Sequence, residues 1–291
     1  MGPFRKAISR LIHPIQPMPP GVYAYKAPRE APLPYRLHLR LEPDGRGVLL
    51  INASIVLHLN PTAAEFAYHL VHGTPATEVS SQIARRYRVS REQAAHDYAE
   101  FIERVEALYL NPDAEPVSWL DFERHSPQSV HLSAPYRLDC ALTHRSESET
   151  ITGEVPQDEL STDAWQAILD KAWAIGIPHV IFTGGEPTLR PDLAALLEHA
   201  ERLGMVTGLV SGGLRLADSA YLDRLLQTGL DHVLIVLSPK EERAWDALAG
   251  LIYWTEVLES RLPIAAHLTL TPDNLSQIPY WLERLAARGL H

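Results

Sequence analysis

HVIFTGGEPTLRPDL, residues 179–193, decides how the second half of the chain folds. The run HVIFT ends in two glycines, and Arg190-Pro191-Asp192 then starts a helix. Strand, bare turn and helix in that order make up the repeating unit of a parallel α/β sheet. Comparable apolar runs stand on either side of it at YRLDCAL (136–142), MVTGLVS (205–211), HVLIVLS (232–238) and IAAHLTL (264–270). Amphipathic helical segments separate them, and four of these stop at Gly176, Gly204, Gly229 and Gly289, the usual helix terminator before a short loop. This spacing requires right-handed parallel crossovers, which put the working edge at the strand C-termini. Five units cannot close an eight-stranded barrel. The expected architecture of residues 131–291 is therefore an α/β partial barrel, truncated where a sixth strand is due.

The first half has a different pattern. Seven prolines within residues 1–33 oppose helix and sheet alike, so this stretch reads as a loose arm with one helical turn at Ala7–Leu11. From Tyr35, YRLHLRL alternates apolar and polar residues, Asp44-Gly45 supplies a turn, and GVLLI and SIVLHL follow. These predict three antiparallel strands. Asn60-Pro61 opens a first helix and Thr77 a second, while Ser90 with Gln93 makes a capping box for a third that ends near Leu110. Residues 34–110 thus form a small α+β domain, and the proline-containing stretch 111–130 is a linker.

Composition narrows the function. The chain has 291 residues, a formal net charge of −10 and 46% hydrophobic residues. An acidic balance disfavours nucleic acid as a partner. There is no apolar run of membrane-spanning length and no secretory h-region, so neither a membrane nor export is expected, and the default compartment is cytoplasmic. The single cysteine, Cys140, rules out an intramolecular disulfide and any metal site built from this chain's cysteines alone. His69 and His72, three apart, and His199 have no third ligand at compatible spacing, so capping or surface roles fit them. The motifs of P-loop nucleotide binders, HExxH metalloproteases and GxSxG hydrolases are missing.

The chemistry therefore centres on Gly184, Gly185, Glu186 and Pro187. Two glycines let a ligand approach the backbone closely, the carboxylate can accept hydrogen bonds from an ammonium group, and the proline fixes the exit direction. A tight strand-to-helix turn makes the same demands, so both readings stand.

TGGEPTLRPDL, the preceding AIGIPHVIF and a following strand that ends in VSGG together resemble the radical S-adenosylmethionine (SAM) superfamily. The resemblance covers residues 131–291. It implies a parallel partial barrel that holds SAM, with Gly184, Gly185, Glu186 and Pro187 at the SAM amino group and Ser238 and Asn274 at further strand ends facing the ligand. It also implies a [4Fe–4S] cluster on a C-x3-C-x2-C loop after the first strand. Here Cys140 takes the first position, His144 the second and Glu147 the third. If catalytic, such a protein cleaves SAM reductively and abstracts a hydrogen atom from its substrate.

The stretch ASIVLHLNPTAAEFAYHLVHGTPATEVSSQIARRYRVSREQAAHDYAEFIERVEAL is similar to PqqD-like peptide-recognition domains. These have a winged-helix-like fold and are often fused to radical SAM enzymes that modify ribosomally made peptides. The resemblance implies that a leader peptide adds as a strand along Ala53, Ser54, Ile55, Val56, Leu57 and His58, beside the helix Arg91–Leu108. An internal dimerisation or cap module is the competing reading of the same domain. For the whole chain two functions stay open: a peptide-modifying radical SAM enzyme, or a non-catalytic adaptor that presents a peptide to a complete radical SAM partner.

Overall fold

The computed structural model describes residues 16–28, 35–110, 133–145, 158–237, 242–259 and 262–290. The helical turn expected at Ala7–Leu11, the linker 111–130, Glu147 and Ser238 lie outside these residues. Two compact units divide at Ser133/Ala134. No helix among the described residues is long and apolar enough to cross a membrane.

The first unit holds a four-stranded antiparallel sheet in the order β1 (Gly21–Lys26), β2 (Arg36–Leu41), β3 (Gly47–Ile51), β4 (Ile55–Leu59). Three helices follow: α1 (Pro61–Val71), α2 (Ala76–Tyr87) and α3 (Arg91–Leu110). The caps form as the sequence predicts. Asn60 accepts the Ala63 N–H at 2.9 Å and Ser90 Oγ accepts the Gln93 N–H at 3.0 Å. Leu37, Leu39, Leu49, Ile51, Leu57 and Leu59 pack with Ala64, Ala67, Val105 and Leu108 in one core, and Phe66, Val79, Ile83, Ala94 and Tyr98 form a second.

β1 corrects the loose-arm reading of residues 1–33. The prolines of this stretch bracket the strand rather than interrupt it: Pro19 and Pro20 precede Gly21 and Pro28 follows Lys26. Between them GVYAYK pairs with β2 along its whole length. Tyr23 meets Tyr68 edge-on at 5.0 Å, Tyr25 lies 5.7 Å from Tyr35, and Tyr35 stacks on Tyr109 at 3.9 Å. Aromatic pairs of this kind add to the area that the strand buries.

The second unit is a parallel sheet in strictly sequential order, β5 (Arg137–Ala141), β6 (His179–Thr183), β7 (Val206–Ser211), β8 (His232–Leu237), β9 (Ile264–Leu268). Its helices are α4 (Thr162–Ala174), α5 (Leu193–Leu203), α6 (Ser219–Gln227), α7 (Glu242–Val257) and α8 (Ile278–Ala286). Alternate strand residues Cys140, Val180, Phe182, Leu209, Val233, Ile235 and Leu237 join one core with Leu169, Leu196, Leu197, Leu222, Leu225, Trp245 and Leu248 of the helices. The strand order never reverses, so the sheet is wound singly, as part of a barrel is, and not doubly. On the opposite face Arg137, Asp139, Ala141, Ala265 and His267 are exposed. At the strand starts His179 and His232 meet at 5.0 Å, ring to ring. Gly208 makes room for them, since a Cβ there would lie 2.3 Å from His232 Nε2.

Candidate functional site

The C-terminal mouth of β5 and β6 carries the glycine turn. Beyond Ala141 the chain runs on alongside β6: the Leu142 N–H donates to Thr183 O at 2.7 Å, the Gly185 N–H to Thr143 O at 2.7 Å and the Glu186 N–H to Arg145 O at 2.7 Å. Glycine is required here by close backbone approach. A Cβ on Gly184, whose φ is +126°, would lie 2.5 Å from Thr143 O, and one on Gly185 would lie 2.0 Å from Arg145 O.

Glu186 is buried, with 2% of its surface exposed. Its carboxylate accepts from the Thr188 N–H at 3.0 Å, from the Thr188 hydroxyl, from Ser211 Oγ at 2.8 Å and from the Gly212 N–H at 2.8 Å. It therefore ties the turn after β6 to the turn after β7. Pro187 opens the short 3-10 turn Pro187–Leu189 and is buried.

Arg190, whose role sequence reasoning missed, is the centre of this mouth. Its side chain is fully buried. Nε donates to Asp192 Oδ1 at 2.8 Å, Nη1 to Leu142 O at 3.0 Å and Glu159 Oε2 at 3.3 Å, and Nη2 to Leu160 O at 3.1 Å and Asp192 Oδ2 at 2.7 Å. All five guanidinium N–H groups are used. Glu159 also receives the Thr143 hydroxyl at 2.5 Å and the His144 N–H at 3.1 Å, which pins the segment after β5. Burial raises the Asp192 carboxyl, but hydrogen bonds from Arg190 and Thr162 and the Arg190 charge outweigh it and hold the group below its ordinary value. The signal in the sequence was the L-R-P-D that follows the glycine turn. It names a charged residue just inside a buried mouth, but not its partners.

Of the proposed iron ligands, Cys140 and His144 lie among the described residues. Cys140 sits within β5 opposite Phe182, is 2% exposed, and packs into the core on the helix side of the sheet. Burial, with Asp139 adding to it, pushes its thiol up to about 12. A ligand thiol must ionise, and an apolar setting opposes that. His144 is exposed beyond the strand, and among the described residues no three His, Cys, Asp or Glu side chains form a metal set. The backbone pairing with the glycine turn runs on through Thr143–Arg145, and no cysteine follows Cys140 in the sequence. Asn274 serves its own loop: its side chain donates to Thr269 O at 2.9 Å and accepts the Thr271 N–H at 2.8 Å.

In the first unit the expected peptide edge is shorter than its sequence boundaries. Asn52 and Ala53 both have positive φ, 51° and 55°, and form the hairpin turn. Ser54 donates its N–H to Ile51 O. The strand proper begins at Ile55. β4 is a terminal strand with β3 as its partner. Ile55 and Val56 are half-buried, Leu57 and Leu59 point into the core, and His58 is exposed.

Comparison with known proteins agrees with this division. Residues 41–110 match the family described as coenzyme PQQ synthesis protein D (PqqD), and residues 138–238 match the radical SAM superfamily. The PqqA peptide cyclase of Bradyrhizobium diazoefficiens is 35% identical over 163 residues, 53% of this chain and 42% of that protein. The PqqA peptide cyclase of Streptomyces rochei is 40% identical over 147 residues, 48% of this chain and 40% of that one. The chain thus matches less than half the length of these relatives. Streptococcus suis SuiB, solved bound to S-adenosylmethionine, shares the fold with a TM-score of 0.51 at 17% identity, over 87% of this chain and 60% of SuiB. The chain accordingly joins a PqqD-family domain, residues 41–110, to a domain of the radical SAM superfamily that spans residues 138–238.

Proposed function

We propose that this chain is the peptide-recognition component of a system that modifies a ribosomally made peptide. It binds the leader segment of the precursor as an added strand on β4 and presents the peptide to a complete radical SAM enzyme. One observation carries this reading: β4 ends its sheet with β3 as its partner strand. An edge of this kind offers main-chain donors and acceptors to an extended peptide, and half-buried Ile55 and Val56 supply apolar contact beside it. The other terminal strand, β1, is bracketed by Pro19, Pro20 and Pro28, which shortens pairing on that side. Read this way, the unit is the winged-helix-like recognition domain that the family resemblance implies. The PqqA peptide cyclases among the relatives, and SuiB solved with its precursor peptide SuiA, support a peptide as the partner.

Main-chain hydrogen bonds contribute about 1 kcal/mol each in net terms. Five or so, with two apolar side chains, give micromolar affinity after the cost of ordering, about −8 kcal/mol. The test titrates labelled peptides encoded by short reading frames beside the gene into the full chain. One of them binds with micromolar affinity, Ile55→Pro weakens it by about tenfold or more, and Glu103→Gln, at an exposed position of α3, leaves it unchanged. No binding by any neighbouring peptide overturns the reading.

The match to the radical SAM superfamily favours a second reading, in which this chain itself carries that superfamily's chemistry on a [4Fe–4S] cluster. Anaerobic reconstitution with iron and sulfide decides it. A brown product with about four irons per chain supports catalysis here, and a colourless, iron-free one removes it.

A further inference from the structure

We infer that the glycine turn of this radical SAM domain is locked by the chain itself and that this protein takes up neither SAM nor a [4Fe–4S] cluster. The inference concerns the second unit and stands or falls independently of peptide binding by the first.

Three features of the mouth carry it. The first is the shelf. The space that Gly184 and Gly185 leave by lacking a side chain is filled by the backbone of Thr143–Arg145, and the N–H groups of Gly185 and Glu186 already donate to Thr143 O and Arg145 O. The second is the carboxylate. Glu186 receives four donors, three at Oε1 from the Thr188 N–H, the Thr188 hydroxyl and the Ser211 hydroxyl, and one at Oε2 from the Gly212 N–H. Oε1 has no lone pair left for an incoming ammonium group, and Oε2, which keeps one, is buried with the rest of the side chain. The third is the donor set. The chain's one thiol is buried in the core of the sheet, so it does not stand at the mouth to bind iron.

Arg190 and Glu159 complete the lock. Arg190 holds Leu142 O and Leu160 O, and Glu159 holds the Thr143 hydroxyl and the His144 N–H. The segment after β5 is thereby held from both sides by the chain's own groups. These groups stabilise the mouth, and none of them is assigned a catalytic part.

The test uses the full chain, with amide hydrogen exchange and amide NMR shifts read at Gly185 and Glu186, first without ligand and then with SAM at about 1 mM, enough to reveal even weak binding. Both amides exchange slowly in the ligand-free protein, as paired strand amides do, and neither exchange nor shifts change on adding SAM. Fast exchange at Gly185 and Glu186 without ligand overturns the lock, whatever SAM does. Saturable shifts at Gly184–Glu186 on adding SAM overturn the exclusion. Glu186→Gln serves as the control in that event: loss of the SAM shifts in a variant that keeps the parent's remaining spectrum assigns the ligand to this turn.

Discussion

Replacing Arg190 with methionine removes the guanidinium but keeps much of the side chain's volume, which isolates the polar contribution. The wild-type group is fully buried and makes five hydrogen bonds, three of them to the carboxylates of Glu159 and Asp192. Each carboxylate keeps something afterwards: Glu159 retains the Thr143 hydroxyl and the His144 N–H, and Asp192 retains the Thr162 hydroxyl. Neither retains a cation. Removing one partner of a buried charge pair costs about 3–5 kcal/mol, because the remaining charge stays desolvated. With a urea slope of about 2 kcal/mol per molar, this lowers the unfolding midpoint by roughly 1.5–2.5 M. Tryptophan fluorescence is the natural probe, since Trp165, Trp173, Trp245, Trp254 and Trp281 all belong to the second unit. Arg190→Lys should fall between, because an ammonium keeps the charge but cannot reach five acceptors from a planar fork. A methionine variant within about 1 kcal/mol of the parent would refute the claim that this network holds the mouth.

The same network sets an acid limit: Asp192, depressed by Arg190 and Thr162 against the effect of burial, adds stability above about pH 3.9 that is lost as pH falls through its lower folded value. Urea midpoints against pH should show this loss in the wild type and a smaller one in Arg190→Met. His232 acts in the opposite pH range. Burial, then the charge of Arg137, holds its imidazole below the ordinary value, so the unfolded state takes the proton first and stability declines as pH falls below about 6.5. His232→Gln flattens part of that decline, and an unchanged slope would remove His232 as its source. The Cys140 thiol, raised to about 12 by burial, reacts with a disulfide reagent only after unfolding; rapid labelling of the native protein at pH 8 would contradict its core position. Gly208→Ala places a Cβ against His232 and Ile181 and costs about 1–3 kcal/mol, measured in the same urea assay.

The parallel sheet was legible because each strand is a short apolar run with a glycine-terminated helix before or after it. All five runs appear as β5 to β9, within two residues of the expected ends. The hydrophobic pattern fixes such a buried strand without reference to distant residues. β1 was not legible for the converse reason. Its prolines argue locally against a strand, whereas what holds it is distant: pairing with β2 and contacts of Tyr23 and Tyr25 with Tyr68 and Tyr35. Cys140 shows the limit of spacing arguments. C-x3-x-x2-x spacing counts along the chain, but the level of a residue in a sheet is set by pairing, and Cys140 pairs opposite Phe182, two residues before Gly184. Arg190 was visible as a charged residue in a turn. Its acceptors come from Leu142, Glu159 and Leu160 as well as the adjacent Asp192, and no local pattern brings the first three to it. The edge at β4 was readable as an edge, but its start was not, because the positive φ angles of Asn52 and Ala53 occur at residues other than glycine.

The proposal that a peptide adds to β4 is tested most directly by amide hydrogen exchange across residues 47–59 of the full chain, with and without a bound peptide from the neighbouring reading frames. Strand addition predicts that alternate amides of Ile55–Leu59, those not already paired with β3, become protected on binding, while the β3 amides keep their exchange rates. Protection that appears on β1 or in the helices and spares β4 would contradict strand addition at this edge.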